Sequence, residues 1–574
     1  MSNIARHLGA RYEQTGNLQD LESAINYAEA AAEATPEDHP DRAELLNRLG
    51  IYLKSRYGQT AKNQDLGLAI SAWLASWSMP TGPILVRIKA ASNAAETLVF
   101  SPSSTSEDLS RACSLLHDAT HLIPLATSRS LEREDQQHIL QELTGVASLA
   151  AAVSLQAKQS PMEALSLQEL GRSVTNGQLL DYRSEISDLI EQHPTLAKDF
   201  DSLRQELDSP FPSTESSDVA KDLDDILQQI RQRPGFQTFL RAETEEYFLS
   251  AAQEGPIVVL NATELRSDAI LLTKEQITNI PLPQLSHASI RRMLEWLWKA
   301  AVQPVLRELG FYPKAVDPLP RIWWIGVGLM AQAPIHAAAK FTKGVVKIRM
   351  TTLQYCLPSY TSTIRALQYS RARQQYQQNA STLVITMPTT PGAGSLRGAA
   401  KEADELTKHR LRDFSTIEVL ERPTAERVLQ MLPAYSIAHF ACHGVSSTNP
   451  ADSHLMLLSD TGDVDKLRVK DIASLKLPAL WLAYLSACNT ANTTTFIDEV
   501  THIVSSFHIA GYINVIGTLW QAEDEACHKM AADFYSALSK TDNVAASYCH
   551  AVLGIMKQKP AQPKYWAPFI HFGA

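Results

Sequence analysis

The feature that most constrains the fold of this sequence is a change in its hydrophobic pattern after Gly255-Pro256. Before this point, apolar residues recur with the spacing of amphipathic helices. After it, short β-branched runs alternate with amphipathic stretches, which is typical of a mostly parallel sheet covered by helices. We therefore expect a multidomain chain, with an all-α region followed by an α/β region.

The first half contains an internal repeat. Arg11-Tyr12-x-Gln14-Thr15 returns 45 positions later as Arg56-Tyr57-x-Gln59-Thr60. An Asp-Leu-x-x-Ala segment follows each copy and recurs in a third, decayed copy; these segments start at Asp20, Asp65 and Asp108. With turns near Gly16 and Asn63, each copy predicts two antiparallel helices that bury their apolar faces by stacking on the next copy. The alternative is a plain helical bundle in which the recurrence has no structural meaning.

The repeats resemble tetratricopeptide repeats of the type common in fungal proteins, although their period is longer than the usual ~34 residues. We expect this helical solenoid over residues 1–208, with a protein partner or substrate bound on it. Residues 209–249 are expected to be a linker and connecting helices, because Ser209 to Ser217 is rich in proline and serine. The α/β domain is then expected over residues 250–574.

Composition excludes several function classes. The formal net charge of the 574 residues is −10 and no basic stripe is present, so we expect no nucleic-acid partner. No apolar run approaches the ~18 residues of a membrane helix, and the first residues do not resemble a signal peptide. We therefore expect no membrane association and a cytoplasmic location. The 6 cysteines show no zinc-ligand spacing, and no phosphate-binding glycine loop is recognisable, so no cofactor is expected.

Two predicted strands of the second half lead to residues that can carry chemistry. The strand Ile437 to Ala441 leads to His443 and Gly444, and the next predicted strand, Leu480 to Leu485, leads to Cys488. Sites in open parallel sheets lie beyond the carboxyl ends of the strands. A right-handed crossover would make these strands neighbours about 4.8 Å apart, so that both side chains reach one point.

A cysteine and a histidine that converge there suggest nucleophilic catalysis. The thiolate attacks, and the imidazole can take the thiol proton and later protonate a leaving amine. The backbone N–H groups of Gly444 and Cys488 could donate to a developing oxyanion.

The other predicted strands are Ile257 to Leu260, Ile270 to Leu272, Ile322 to Ile325, Leu383 to Met387 and Ile513 to Thr518.

The region from about residue 250 to 574 resembles a CHAT domain, the caspase-like peptidase domain related to separase. The matching stretches are Trp323-Trp324-Ile325, Pro334-Ile335-His336-Ala337-Ala338, Ser359-Tyr360-Thr361, Phe440-Ala441-Cys442-His443-Gly444, Leu485-Ser486-Ala487-Cys488, Ile516-Gly517-Thr518-Leu519-Trp520 and Trp566-x-Pro568-Phe569. In that family the histidine before glycine and the cysteine of Ser-Ala-Cys form a catalytic dyad, which corresponds here to His443 and Cys488.

The resemblance also suggests a specificity residue. Asp524 matches the acid of the Leu-Trp-x-x-x-Asp pattern that lines the substrate pocket of separase-like enzymes. A buried carboxylate there would select Arg or Lys before the scissile bond. The alternative is that Asp524 is an N-cap or first-turn acid of the helix that follows. Asp498 and Glu499 are weaker candidates for the same pocket.

Three other residues have structural interpretations. His439 lies inside a predicted strand and is interpreted as a core histidine with satisfied hydrogen bonds, Cys442 as a small buried hydrophobe, and His336 as structural. Strand alternation sends Cys442 to the face opposite the histidines, so we expect no metal site there.

The leading hypothesis is a cysteine endopeptidase whose helical repeats bind a partner or substrate and regulate cleavage after Arg or Lys. The alternative is a non-proteolytic scaffold or signalling adaptor on a caspase-like fold. A third interpretation is a latent enzyme that needs a regulatory domain.

Overall fold

The fold was obtained as a computed structural model, which divides into two compact units. The first comprises Met1–Val174 and Asp181–Glu243, and the second comprises Thr175–Leu180 and Thr244–Ala574. The predicted boundaries at residues 208 and 249 stay predictions. The structure describes residues 1–126, 143, 145–181, 189, 192–207, 216–234, 236–237, 239, 243–283, 293–312, 319–342, 345–372, 381–393, 396–408, 416–445, 447, 452–475, 480–486, 503–520 and 522–574.

Helices make up the regular structure of the first unit, as the sequence predicts. They are α1 (Ser2–Thr15), α2 (Leu18–Ala34), α3 (Asp41–Thr60), α4 (Asn63–Trp77), α5 (Ile84–Phe100), α6 (Ser106–Leu122), α7 (Val146–Gln156), α8 (Pro161–Asp181), α9 (Pro194–Leu207) and α10 (Ser216–Arg231). Each helix from α1 to α5 packs against the next along the chain. The first hairpin turns at Gly16, whose φ of 69° suits glycine, whereas the second turns at Ala61, and Asn63 begins α4.

The 45-residue sequence repeat corresponds to a repeated ion pair in the structure. Nε and Nη2 of Arg11, near the end of α1, donate to the two carboxylate oxygens of Asp20 in the first turn of α2. In the second copy Arg56 donates in the same bidentate manner to Asp65, at 3.1 and 2.7 Å. In the third copy Asp108 belongs instead to a capping box with Thr105 at the start of α6. The tetratricopeptide subtype stays a prediction.

An eleven-stranded sheet dominates the second unit. Its strands, with those of two smaller sheets, are β1 (Ile257–Ala262), β2 (Ser267–Leu272), β3 (Ile277–Pro281), β4 (Arg321–Gly326), β5 (Ala339–Thr342), β6 (Val345–Thr351), β7 (Leu357–Tyr360), β8 (Ser381–Thr386), β9 (Thr416–Glu421), β10 (Ile437–Ala441), β11 (His443–Val445), β12 (His454–Leu458), β13 (Val464–Arg468), β14 (Leu480–Leu485), β15 (Tyr512–Thr518) and β16 (Phe569–Gly573).

The large sheet has the order β3-β2-β1-β4-β7-β16-β15-β14-β10-β8-β9. In the described residues its antiparallel neighbours are β1–β2, β2–β3 and β15–β16, and its other pairs are parallel. The predicted fold class, a helical region followed by a mostly parallel α/β sheet, is therefore confirmed.

Helices cover the sheet. They are α11 (Glu245–Ala251), α12 (Met293–Leu297), α13 (Gln303–Glu308), α14 (Ile364–Ala372), α15 (Arg397–Lys408), α16 (Ala425–Met431), α17 (Val469–Ser474), α18 (Ile503–Ala510), α19 (Asp524–Thr541) and α20 (Val544–Gln558), with a π-helical turn at Trp298–Val302.

Both faces of the sheet are buried. In β10, Ala438 and Phe440 belong to one apolar cluster, together with Cys442 just beyond the strand. Ile437 belongs to a second cluster, which includes Tyr484 of β14. This split follows from strand alternation and explains why the strands have near-continuous apolar sequences.

Candidate active site

The two strands that lead to the candidate residues are parallel neighbours. Strands β10 and β14 pair from Ile437↔Leu482 to Phe440↔Leu485. Ser486 continues this ladder, since its N–H donates to the Phe440 carbonyl at 2.8 Å. His443 and Cys488 each lie three residues beyond the last paired position, Phe440↔Leu485. The two residues therefore stand at equivalent sequence distances from this strand pair.

The sequence predicts His443 at the tip of the parallel strand, but the structure places it beyond that strand. Strand β10 ends at Ala441, whose carbonyl accepts from the Met387 N–H at 2.9 Å. His443 instead begins β11, which pairs antiparallel with β12 through His443↔Met456 and Gly444↔Leu455. The histidine is half-buried. The exit from the parallel sheet is thus followed by a small antiparallel sheet of β11, β12 and β13, which holds His443 and Gly444.

Part of the predicted site is not among the residues that the structure describes. Cys488, Asp498 and Glu499 lie outside them. Asp524 is the first residue of α19, with Glu523 at the N-cap position, so the backbone places it in the first helical turn. Its proposed role in a specificity pocket stays a prediction, as do the roles of His443, Cys488 and Gly444.

A buried polar cluster lies beside the carboxyl ends of β10 and β14. Glu402 of α15 accepts from Ser486 Oγ at 3.0 Å through Oε1, and His439 Nε2 lies 3.0 Å from its Oε2. His439 Nδ1 lies 3.1 Å from the Tyr535 hydroxyl of α19. The His439 ring stacks on Tyr484, with centroids 4.8 Å apart. His439 is therefore a core histidine with satisfied hydrogen bonds, as interpreted from the sequence.

The hydrogen bonds assign roles within this cluster. Ser486 Oγ donates to Glu402 Oε1, and His439 Nε2 is paired with Glu402 Oε2. His439 Nδ1 is paired with the Tyr535 hydroxyl. Burial, and secondarily the negative charge of Glu402, raises the pKa of the Tyr484 and Tyr535 hydroxyls well above their ordinary value. Both tyrosines stay neutral at physiological pH.

The cysteines of the described residues have the character of structural thiols. They are all buried: Cys113, Cys356, Cys442, Cys527 and Cys549. Burial raises the pKa of the Cys549 thiol to about 12, and that of Cys356 well above its ordinary value. Such thiols are poor nucleophiles because the thiolate is disfavoured.

Sequence reasoning missed Glu402 and gave Ser486 no role. Glu402 stands in the apolar stripe of α15, with the buried residues Ala399, Ala403 and Leu406 around it. A charged residue within such a stripe is the signal that could have identified it, because buried charges are rare unless paired.

Two further observations concern ligands and membranes. No group of three or more His, Cys, Asp or Glu side chains that could hold a metal ion occurs in the part of the chain that the structure describes. Within that same part, no helix has the length and apolar character needed to cross a bilayer.

Comparison with known proteins identifies one domain. The chain resembles the Saccharomyces cerevisiae separase–securin complex at 11% identity and a TM-score of 0.47, over 99% of this chain and 47% of that chain. It also resembles the complex of the pro- and mature domains of Porphyromonas gingivalis RgpB, at 12% identity and a TM-score of 0.32, over 48% of this chain and 68% of that chain. For the Arg-specific cysteine proteinase gingipain R, the identity is 12% and the TM-score 0.32, over 50% of this chain and 74% of that chain.

A comparison with curated protein sequences finds no match. Residues 291–574, which contain β4 to β16, match the family model of the CHAT domain.

Proposed function

We propose that this protein is a cysteine endopeptidase of the caspase and separase-like class. The observation that carries the proposal is the pairing of β10 and β14 in parallel, in a register that sets His443 and Cys488 three residues beyond Phe440↔Leu485. The match of residues 291–574 to the CHAT domain supports it.

In the proposed mechanism Cys488 is the nucleophile and His443 the acid–base. His443 takes the thiol proton as the sulfur attacks the scissile carbonyl carbon, and the N–H groups of Gly444 and Cys488 donate to the oxyanion. As the carbon–nitrogen bond breaks, His443 protonates the leaving amine and a thioester remains. Water then attacks the thioester with His443 as base, which releases the acid product and the thiol.

The substrate is proposed to be a protein or peptide cleaved after Arg or Lys. The acidic residue at the start of α19, Asp524, would pair with the cationic side chain before the scissile bond. The helices of the first unit are proposed to bind a protein partner or the substrate and so to regulate cleavage.

The deciding experiment is a peptide-library cleavage profile of the wild type beside Cys488→Ala and His443→Ala. We expect cleavage after basic residues by the wild type and a loss of about 10³-fold or more in kcat/KM for Cys488→Ala, because the nucleophile is removed. Cys113→Ala, which removes a buried thiol of the helical unit, is the matched control and should cleave normally.

The same preparation tests the scaffold alternative. A peptide electrophile should label Cys488 stoichiometrically, and His443→Ala should abolish the labelling. Absence of both cleavage and labelling in the wild type would favour a non-proteolytic scaffold. Undiminished cleavage by Cys488→Ala would remove the nucleophile assignment.

A further inference from the structure

The cluster around Glu402 joins elements that are remote in sequence. Glu402 is 2% exposed and bonds to His439 of β10 and to Ser486, which follows β14. His439 extends the cluster to Tyr535 of α19. A buried carboxylate needs donors of this kind, because without them its desolvation is strongly unfavourable. The hydrogen bonds from these partners therefore stabilise the buried carboxylate.

Ser486 is consequently fixed at two points. Its N–H is bonded to Phe440 of β10, and its hydroxyl is bonded to Glu402 of α15. Cys488 follows Ser486 by two residues, and two peptide units span at most about 7 Å. The point at which the chain leaves β14, two residues before Cys488, is thus set by the Ser486 anchor.

The geometry excludes a second catalytic centre of the Ser-His-Glu type. In such a triad the serine hydroxyl bonds to the imidazole, which acts as its base. Here the Ser486 hydroxyl bonds to the carboxylate, and both ring nitrogens of His439 are engaged by Glu402 and Tyr535. His439 is also fully buried.

We propose that Glu402 and Ser486 are positioning residues, which fix the end of β14 from which the chain continues to the proposed nucleophile Cys488. This inference rests on the proposed cysteine-peptidase function. A loss of the anchor lowers the fraction of molecules in which sulfur and imidazole meet, so it lowers kcat while substrate binding is largely kept.

The test compares Ser486→Ala, Ser486→Thr and Ser359→Ala with the wild type on a peptide that the wild type cleaves. Ser486→Ala is expected to lower kcat by about 10–100-fold, the loss that a misplaced reacting group causes, with KM within a few-fold of the wild type. Ser486→Thr keeps the hydroxyl and should restore most of kcat. Ser359→Ala is the matched control, because it removes a hydroxyl that lies 2.8 Å from His571 elsewhere in the same sheet. It should leave kcat within a few-fold.

Two readouts separate positioning from general stability. The pH profile of Cys488 alkylation by chloroacetamide should shift in Ser486→Ala toward the ordinary thiol midpoint of about 8.5, because the sulfur is no longer held beside His443. In a double-mutant cycle, Glu402→Gln should lower kcat much less in the Ser486→Ala background than in the wild type.

The outcomes are distinguishable. Equal kcat values for the wild type and Ser486→Ala, or equal losses in Ser486→Ala and Ser359→Ala, would overturn the positioning role while the peptidase assignment stands. A wild type that neither cleaves peptides nor reacts at Cys488 would overturn the proposed function, and the positioning role with it.

Discussion

At the scale of single residues, the bidentate Arg–Asp pairs of the helical unit join a residue near the end of one helix to the first turn of the next. The side chain of Asp20 is 7% exposed, whereas that of its partner Arg11 is 60% exposed. Hydrogen bonds from Arg11 lower the pKa of Asp20, burial opposes this shift, and the charge of Arg11 adds to it. The ionised carboxylate of Asp20 therefore stabilises the folded state.

This shift predicts how the stability of the helical unit depends on pH. A carboxyl group whose pKa is lower in the folded state stabilises the fold above its unfolded pKa of about 3.9, and this contribution disappears as pH falls through the folded value. The difference in thermal midpoint between wild type and Asp20→Asn should therefore be constant from pH 7 to about 5 and shrink below about 4. Differential scanning calorimetry of the full chain measures it. Asp38→Asn, which removes an exposed carboxylate, should show no such narrowing.

The environment of a residue could be predicted from the sequence where it depends on neighbours in the chain, and not where it depends on distant residues. The burial of His439 followed from its place inside an apolar strand. The partnership of Glu402 with Ser486 did not, because it joins residues 84 positions apart through the packing of α15 against the strand ends. The position of Cys488 relative to His443 stays a prediction, which is based on the register of β10 and β14.

At the scale of elements, helices α3 and α4 approach closely at a glycine. A Cβ added to Gly50 of α3 would lie 2.5 Å from Cε2 of Trp73 of α4, which is fully buried. The Trp73 Nε1–H donates to the Asn47 carbonyl at 3.1 Å, so the ring cannot move aside without losing this bond. Close packing of this helix pair therefore requires glycine at position 50.

Two alanine substitutions in the same helix should have opposite effects. Gly50→Ala is expected to lower the free energy of unfolding by about 1–3 kcal/mol, because it overpacks the contact with Trp73. Gly58→Ala has nothing within 4 Å of the added Cβ and should raise it by about 0.5–1 kcal/mol, because alanine favours the helix. Urea denaturation of the full chain followed by helical circular dichroism measures both. Equal effects of the two changes would show that the close contact does not limit packing.

Strands with continuous apolar runs could be predicted from the sequence, and the other strands of the large sheet could not. All seven predicted strands lie in the large sheet, and β10 and β14 have the predicted bounds. The other strands of this sheet, β3, β7, β9 and β16, were missed. β7 has four residues including Pro358, and β16 directly follows Pro568. Their pairing depends on neighbours distant in the chain, which local patterns do not reveal.

At the scale of the whole molecule, the second unit buries neutral histidines. Burial lowers the pKa of His336 to about 3 and that of His508 to about 4. Burial, with the nearby positive charge of Arg321, also lowers the pKa of His571 well below its ordinary value. His571 bonds to Ser359 of β7 and Asn514 of β15, so it joins β16 to both neighbouring strands.

These histidines predict that the α/β unit loses stability in mild acid. Below the unfolded pKa of about 6.5 the unfolded chain binds protons that the folded state excludes, so stability falls as pH falls toward the folded values. The slope is up to about 1.4 kcal/mol per pH unit for each histidine. Urea unfolding of the full chain between pH 7 and 5.5 measures it. His336→Gln should flatten the dependence by about one such increment, and an unchanged slope would contradict the assignment.

The place of β16 in the sheet has a consequence for biosynthesis. Residues 569–573 are translated after all the other described strands, yet they pair with both β7 and β15, which have no direct pairing with each other in the described sheet. While a nascent chain still lacks these residues, β7 and β15 each present an open edge, of the kind that invites wrong pairing. The ribosome must therefore release this segment before the two parts of the sheet can join.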